Sequence, residues 1–190
     1  MAKTEKLNYR LAEKYALDLW VNCEGETDSR LKVSNRMMGL VLMLGLETGA
    51  RISDLLNMKY SDIKEMPNKP NVYVISFYVK KSKTHHKWVI TSDLKNKIDI
   101  TREYMKLEHG YYGDFIFYNP STEKQYGRVW ASKRISIANK LGKMGKVIDV
   151  AGSHSLRKAS AHHLFERSQD LRLVQSQLKH RNIATTSRYL

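Results

Sequence analysis

Cysteine is nearly absent from this chain, and Cys23 stands alone. One thiol cannot form an intramolecular disulfide or a multi-cysteine metal site, so the sequence reads as a protein of a reducing compartment. Long apolar runs are missing too. The longest, Met37 to Leu46, is about half of the roughly 20 residues a membrane span needs, which makes it a core helix. The first residues, MAKTEKLNYR, are polar and charged, unlike a secretory signal. There is no Pro-rich linker, low-complexity tract or internal repeat. Seven histidines are present, yet the pairs His85-His86 and His162-His163 lack the i, i+4 spacing and acidic partner of a zinc helix, so no metal or other cofactor is expected.

The scarcest commodity is negative charge. Against 33 Lys and Arg stand 19 Asp and Glu, for a net charge of +14 over 190 residues. An excess of that size points to a polyanionic partner, most often nucleic acid, with an anionic membrane surface as the weaker reading. The length suits one domain with a sizeable core.

Periodicity sets out the elements. Leu7, Leu11, Tyr15 and Leu19 recur every four residues and predict an amphipathic helix over 5–21, and the polar stretch 22–34 predicts a loop. An almost wholly apolar helix follows from about Asn35 to Glu47, stopped at Thr48-Gly49. Next come a short strand at Ser61–Ile63, a turn around Pro67 and Pro70, and two β-rich runs, 72–79 and 88–91, joined by the basic KKSKTHH hairpin. A helix over 93–109 ends at Gly110, 115–118 is short and apolar, and a basic helix begins near Arg128. The last stretch, SHSLRKASAHHLFERSQDLRLVQSQLKHRNIATTSRYL, predicts three short helices.

That last stretch carries the chemistry. If Ser153 caps its first helix, His154 and Arg157 share one face near the helix's positive end, a natural phosphate site. His180 and Tyr189 are nine apart and meet only if the helix between them breaks, for which Asn182 before Ile183 is a suitable restart. Cations around a phenol suit attack of a tyrosine oxygen on a phosphodiester, which conserves the bond energy in a phosphotyrosyl intermediate. Arg51, directly after the Gly that ends the buried helix, sits at a turn held by packed elements, with Asp54 three residues on to fix it.

The ordered set of TGARISDL, a lysine on a β-hairpin, HxxR, LxH and Tyr nine residues later resembles the tyrosine recombinase, or phage integrase, family over about residues 35–190. The resemblance implies an α+β fold, mainly helical, with a small antiparallel three-stranded sheet. It implies that Arg51 and Arg157 clamp the non-bridging oxygens of the scissile phosphate, that His154 is the general base and that His180 hydrogen-bonds a phosphate oxygen. Tyr189 is then the nucleophile, and Lys83 donates a proton to the leaving 5′ oxygen, with Lys81 or Lys80 as alternatives on the same hairpin. Lys80, Lys81, Lys87, Arg128, Lys133, Arg134 and Lys158 are expected to contact DNA, mostly its backbone.

Against that family pattern, Lys158 stands where many relatives have His, and Lys179 where they have Gly. The chain is further expected to be a single catalytic domain over 1–190, without the family's N-terminal DNA-clamping domain or its C-terminal tail. The implied activity is site-specific DNA recombination through a 3′-phosphotyrosyl intermediate, integrating, excising or inverting a mobile element. Self-association on DNA is expected too, monomeric in isolation and tetrameric in synapsis, in the cytoplasm of a bacterial or phage-infected cell. A type IB topoisomerase and a non-catalytic DNA-binding accessory protein are the competing readings.

Overall fold

In the computed structural model, residues 7–79, 84–145, 152–187 and 189–190 are described. Helix α1, Tyr9–Val21, starts where the Asn8 side chain accepts from the Leu11 amide at 3.1 Å. It buries Ala12 and Ala16 against α2, Ser29–Thr48. The two approach so closely that a Cβ on Gly39 would lie 2.7 Å from the Ala16 carbonyl, so the small residues there set the spacing.

Helix α2 is the centre of the molecule, with Met37, Leu40, Val41 and Leu44 fully buried. It starts six residues before the expected Asn35, because Asp28 accepts from the Arg30 amide at 2.8 Å and from that of Leu31. The polar composition of 22–34 hid this cap; only residues 22–25 form a separate 3-10 turn there. At its other end, Gly49 takes the left-handed conformation (φ 62°) and the chain turns into α3, Ile52–Leu55.

The sheet follows. The strand expected at Ser61–Ile63 is instead a 3-10 turn, Tyr60–Asp62, closed by the Asp62 carboxylate accepting from the Lys59 amide at 3.0 Å; extended structure begins only after it. Strands β1 (Ile63–Met66), β2 (Lys69–Val79) and β3 (Thr84–Ile90) form an antiparallel sheet in that order. The register of β2 with β3 runs from Tyr73 opposite Ile90 to Val79 opposite Thr84. Along β3, His86, Trp88 and Ile90 turn inward while His85, Lys87 and Val89 face out, the period-two alternation of a half-buried strand.

Helix α4, Ser92–His109, is capped by Thr91 and ends at a left-handed Gly110. The apolar 115–118 segment is mostly irregular: a two-residue pair, β4 (Tyr118–Asn119) with β5 (Lys124–Gln125), is all the ladder it enters, beside a single bridge from Phe115 to Lys59. Helix α5, Arg128–Lys140, then leads to α6 (Ser153–Ser168), α7 (Leu171–Leu178) and α8 (Ile183–Ser187). The main core joins α2 to Leu55, Ile75, Ile90, Ile98, Phe117, Ile135 and Leu156, while Ala161, Val174 and Leu178 make a small second cluster under Tyr189 and Leu190. The architecture is the expected α+β fold, mainly helical around one small antiparallel sheet.

Candidate active site

Three chain turns meet at one place: the turn after α2, the first turns of α6, and the segment from the end of α7 through α8. The first is shaped by Thr48, whose hydroxyl donates to the Leu44 carbonyl and accepts from the Ala50 amide at 3.1 Å. Gly49 is pressed against α6 and α7, and an added Cβ would stand 2.8 Å from Leu178 Cδ2 and 3.0 Å from Ser160 Oγ. Arg51 follows as the residue preceding α3, with Asp54 Oδ2 3.7 Å from its Nη1. At that distance the two form an ion pair, too long for a direct hydrogen bond.

The cap of α6 is Gly152 rather than Ser153, and the Gly152 amide donates to Ser155 Oγ at 3.4 Å. His154 and Arg157 do share a face, but with opposite environments. His154 is exposed, and its Nδ1 lies 3.1 Å from Tyr189 Oη. Arg157 is 3% exposed, and its guanidinium donates to two backbone carbonyls, that of Gly49 through Nη1 and that of Leu178 through Nη2. The same side chain therefore ties the α2 turn to the end of α7. Burial pushes the Arg157 pKa down to about 10, the Tyr189 oxygen pulling it back up and the Arg51 charge adding to the depression. Among the described residues no carboxylate hydrogen-bonds this cation; holding it buried is costly, and an incoming anion relieves that cost.

Between His180 and Tyr189 the helix breaks. Lys179 adopts the left-handed conformation (φ 54°) at the end of α7, so the Lys at a position where the family pattern has Gly does not prevent the turn. Asn182 then restarts the chain, its side chain accepting from the Ala184 amide at 2.8 Å. Gln175 grips His180 twice, accepting its amide at 3.1 Å and donating to its carbonyl at 3.0 Å. The ring of His180 packs edge-on against Tyr189, centroids 5.2 Å apart, while its Nδ1 lies 3.0 Å from Thr186 Oγ1. Burial, then the charges of Arg157 and Arg51, hold its pKa at about 4. The His154 pKa is lowered as well, first by desolvation of the covered side of its ring, although the residue as a whole is exposed, and then by the charges of Arg157, Arg51, Arg128 and Lys158. Both imidazoles are thus neutral at physiological pH, and a neutral His154 can accept the phenolic proton.

The phenol itself is ringed by cations. Arg157 and Lys158 each lie 5.9 Å from the Tyr189 ring centroid. Arg51, His154, Arg157, His180 and Tyr189 therefore converge, with Asp54 and Lys158 at the edge. The expectations for Lys80, Lys81 and Lys83 fall outside the described residues. Lys87, Arg128 and Lys133 are exposed. Arg134, expected to reach DNA, turns inward instead: its guanidinium donates to Asn35 Oδ1, and burial depresses its pKa.

Sequence reasoning missed several contributors. The Trp88 indole on β3 donates to the Gln177 carbonyl at 3.1 Å, and the Gln177 side chain donates to the Glu47 carbonyl at 2.9 Å, bracing the sheet against α7 and the end of α2. His86, 6% exposed, lies against Trp88 and feels the charges of Asp54, Lys179, Arg51 and Arg157. No spacing rule flags these contacts, since each joins residues remote in sequence. A cluster that combines two guanidinium groups, two neutral imidazoles and a phenol hydrogen-bonded to one of them is equipped for in-line attack on a phosphodiester.

The model of the phage integrase family matches residues 10–190. The chain is 25% identical over 166 residues to the probable integrase/recombinase YoeC of Bacillus subtilis strain 168, covering 87% of this chain and 83% of that protein. Among solved structures, it resembles the XerH site-specific recombinase bound to difH substrate in a pre-cleavage complex (TM-score 0.76, 19% identity, all of this chain and 52% of that one). It also resembles a lambda integrase tetramer bound to a Holliday junction (TM-score 0.61, 21% identity, 99% of this chain and 49% of that one). This chain thus spans about half the length of those two structures, whose likeness establishes the fold.

Proposed function

Because the chain belongs to the phage integrase family, we propose that it is a site-specific DNA strand transferase working through a covalent 3′-phosphotyrosine. The observation that carries this reading is the Tyr189 Oη to His154 Nδ1 contact of 3.1 Å beside the buried Arg157 guanidinium. Tyr189 Oη attacks the phosphorus of a duplex strand and its proton passes to His154 Nδ1. Arg157, Arg51 and His180 Nε2–H bind the non-bridging oxygens as charge builds on them. The bond to the 5′ oxygen breaks, and that oxygen takes a proton from Lys83, on the segment joining β2 and β3. The free 5′ hydroxyl of a partner strand then attacks the phosphotyrosine, rebuilding a phosphodiester and returning the phenol. Bond count and proton count balance, so no external energy source is required.

Asp54 steadies Arg51, and exposed Lys87, Arg128 and Lys133, with the half-buried Lys158, supply phosphate contacts that fix register without reading bases. We read residues 1–190 as one catalytic domain, monomeric in isolation and assembling on DNA as a tetramer for exchange. Its substrate would be a mobile element in the cytoplasm of a bacterial or phage-infected cell.

The test is incubation with nicked suicide duplexes spanning candidate element ends, followed by denaturing electrophoresis. A protein–DNA adduct is expected with the wild type and none with Tyr189→Phe. An adduct that survives this substitution, or a wild type that forms none on any duplex, refutes the reading.

A further inference from the structure

We propose that Thr186 is a positioning residue for strand transfer: its hydroxyl donates to His180 Nδ1 and so fixes the ring as the Nε2–H tautomer that faces the scissile phosphate. The inference rests on the strand-transfer reading above and extends it to a residue outside the expected catalytic set.

Burial and two neighbouring guanidinium groups keep His180 neutral, and a neutral imidazole has one nitrogen that donates and one that accepts. Facing an anionic oxygen, only an N–H is attractive; a bare nitrogen lone pair is repelled. The nitrogen turned away from the site must therefore be the acceptor, and it needs a donor. Nδ1 lies 3.0 Å from Thr186 Oγ1, a fully buried hydroxyl, which puts Nδ1 on the protein side of the ring. A hydroxyl can rotate to donate, so the pair settles the tautomer as long as the Thr is held in place.

Thr186 is held. It is completely buried on α8, and its carbonyl accepts the Tyr189 amide at 2.9 Å. One residue therefore orients the phosphate-binding imidazole through its side chain and anchors the nucleophile through its backbone. The His180 main chain is clamped independently by Gln175 on α7. Tyr189 packs edge-on against the ring, and proton placement on it is left to Thr186, as a hydrogen-bonded neighbour sets the tautomer of other working histidines.

Valine at position 186 keeps the shape and removes the donor, whereas serine keeps the donor. The first readout is the ring nitrogen spectrum of His180 in 15N-labelled, DNA-free protein. Wild type and Thr186→Ser are expected to show a protonated Nε2 and an unprotonated Nδ1; Thr186→Val is expected to show a mixture of tautomers. The second is single-turnover adduct formation on a suicide duplex. Thr186→Val is expected to be slower on the order of tenfold with unchanged DNA affinity, and Thr186→Ser within about twofold of wild type. A wild-type ring protonated on Nδ1, or a folded Thr186→Val protein with the wild-type tautomer and rate, overturns the proposal. The wild-type spectrum decides the matter even if the valine variant does not fold. It is also read without DNA, so a protein that cleaves no duplex refutes the strand-transfer reading separately.

Discussion

Replacing Gly49 by Ala is expected to damage stability and catalysis together, and Gly110→Ala supplies the control that separates the causes. Both glycines are left-handed helix ends, at φ 62° and φ 60°. An L side chain in that conformation costs roughly 1–2 kcal/mol at either position. At Gly110 nothing lies within 4 Å of an added Cβ, so the backbone term is the whole effect. At Gly49 the Cβ would lie 2.8 Å from Leu178 Cδ2 and 3.0 Å from Ser160 Oγ. Both neighbours are buried and cannot swing into solvent, so overpacking adds about 1–3 kcal/mol. Gly49→Ala should therefore lose about 2–5 kcal/mol, a large share of the roughly 5–15 kcal/mol that holds a typical domain folded.

Urea denaturation followed by circular dichroism measures both variants, and the midpoint of Gly49→Ala should fall clearly further than that of Gly110→Ala. Catalysis follows because the Gly49 and Leu178 carbonyls both accept from Arg157. Relief of the clash moves one or both, and an ångström of misplacement at a phosphate clamp can slow cleavage on the order of 100-fold. Gly110→Ala should cleave at the wild-type rate. Equal destabilisation of the two variants, or a destabilised Gly49→Ala protein that still cleaves normally, would refute the reasoning.

Arg157→Ala should lower adduct formation by about 100- to 1,000-fold, the loss expected for one donor to a transition-state oxygen, while leaving the DNA dissociation constant within a few fold; single-turnover cleavage and filter binding at fixed salt measure the two. The pH dependence of stability follows from His180, whose folded pKa of about 4 lies below its ordinary value. Between about 6.5 and 4 the unfolded chain binds a proton that the folded one refuses, so stability is full above 6.5 and falls as pH drops through that window. Urea midpoints at pH 7.5 and 5 should show the drop, and His180→Asn should reduce it. Cleavage should be level near neutrality and decline in acid, as His154, itself depressed, gains a proton and stops acting as a base; quenched time courses across pH follow this directly.

Much of this protein was legible because its signals are local. The Gly49 and Gly110 helix ends, the alternating strands and the restart at Asn182 follow from backbone chemistry within a few residues. The order of Arg51, His154, Arg157, His180 and Tyr189 carries the family likeness. Local signals also misled where a better competitor lay nearby: Asp28 starts α2 ahead of the apolar run, Tyr60–Asp62 coils into a 3-10 turn before β1, and Gly152 takes the place expected for Ser153.

The sequence by itself determined which groups exist and in what order, since cap chemistry, hydrophobic period and charge are properties of neighbours along the chain. Only the tertiary structure decided which of these groups meet. It buried Arg157 between two carbonyls from different turns, turned Arg134 inward to Asn35, put Thr186 behind His180 and closed Tyr189 onto His154. Each of those contacts depends on how helices and sheet pack, and packing is fixed by the core as a whole rather than by the residues beside the site.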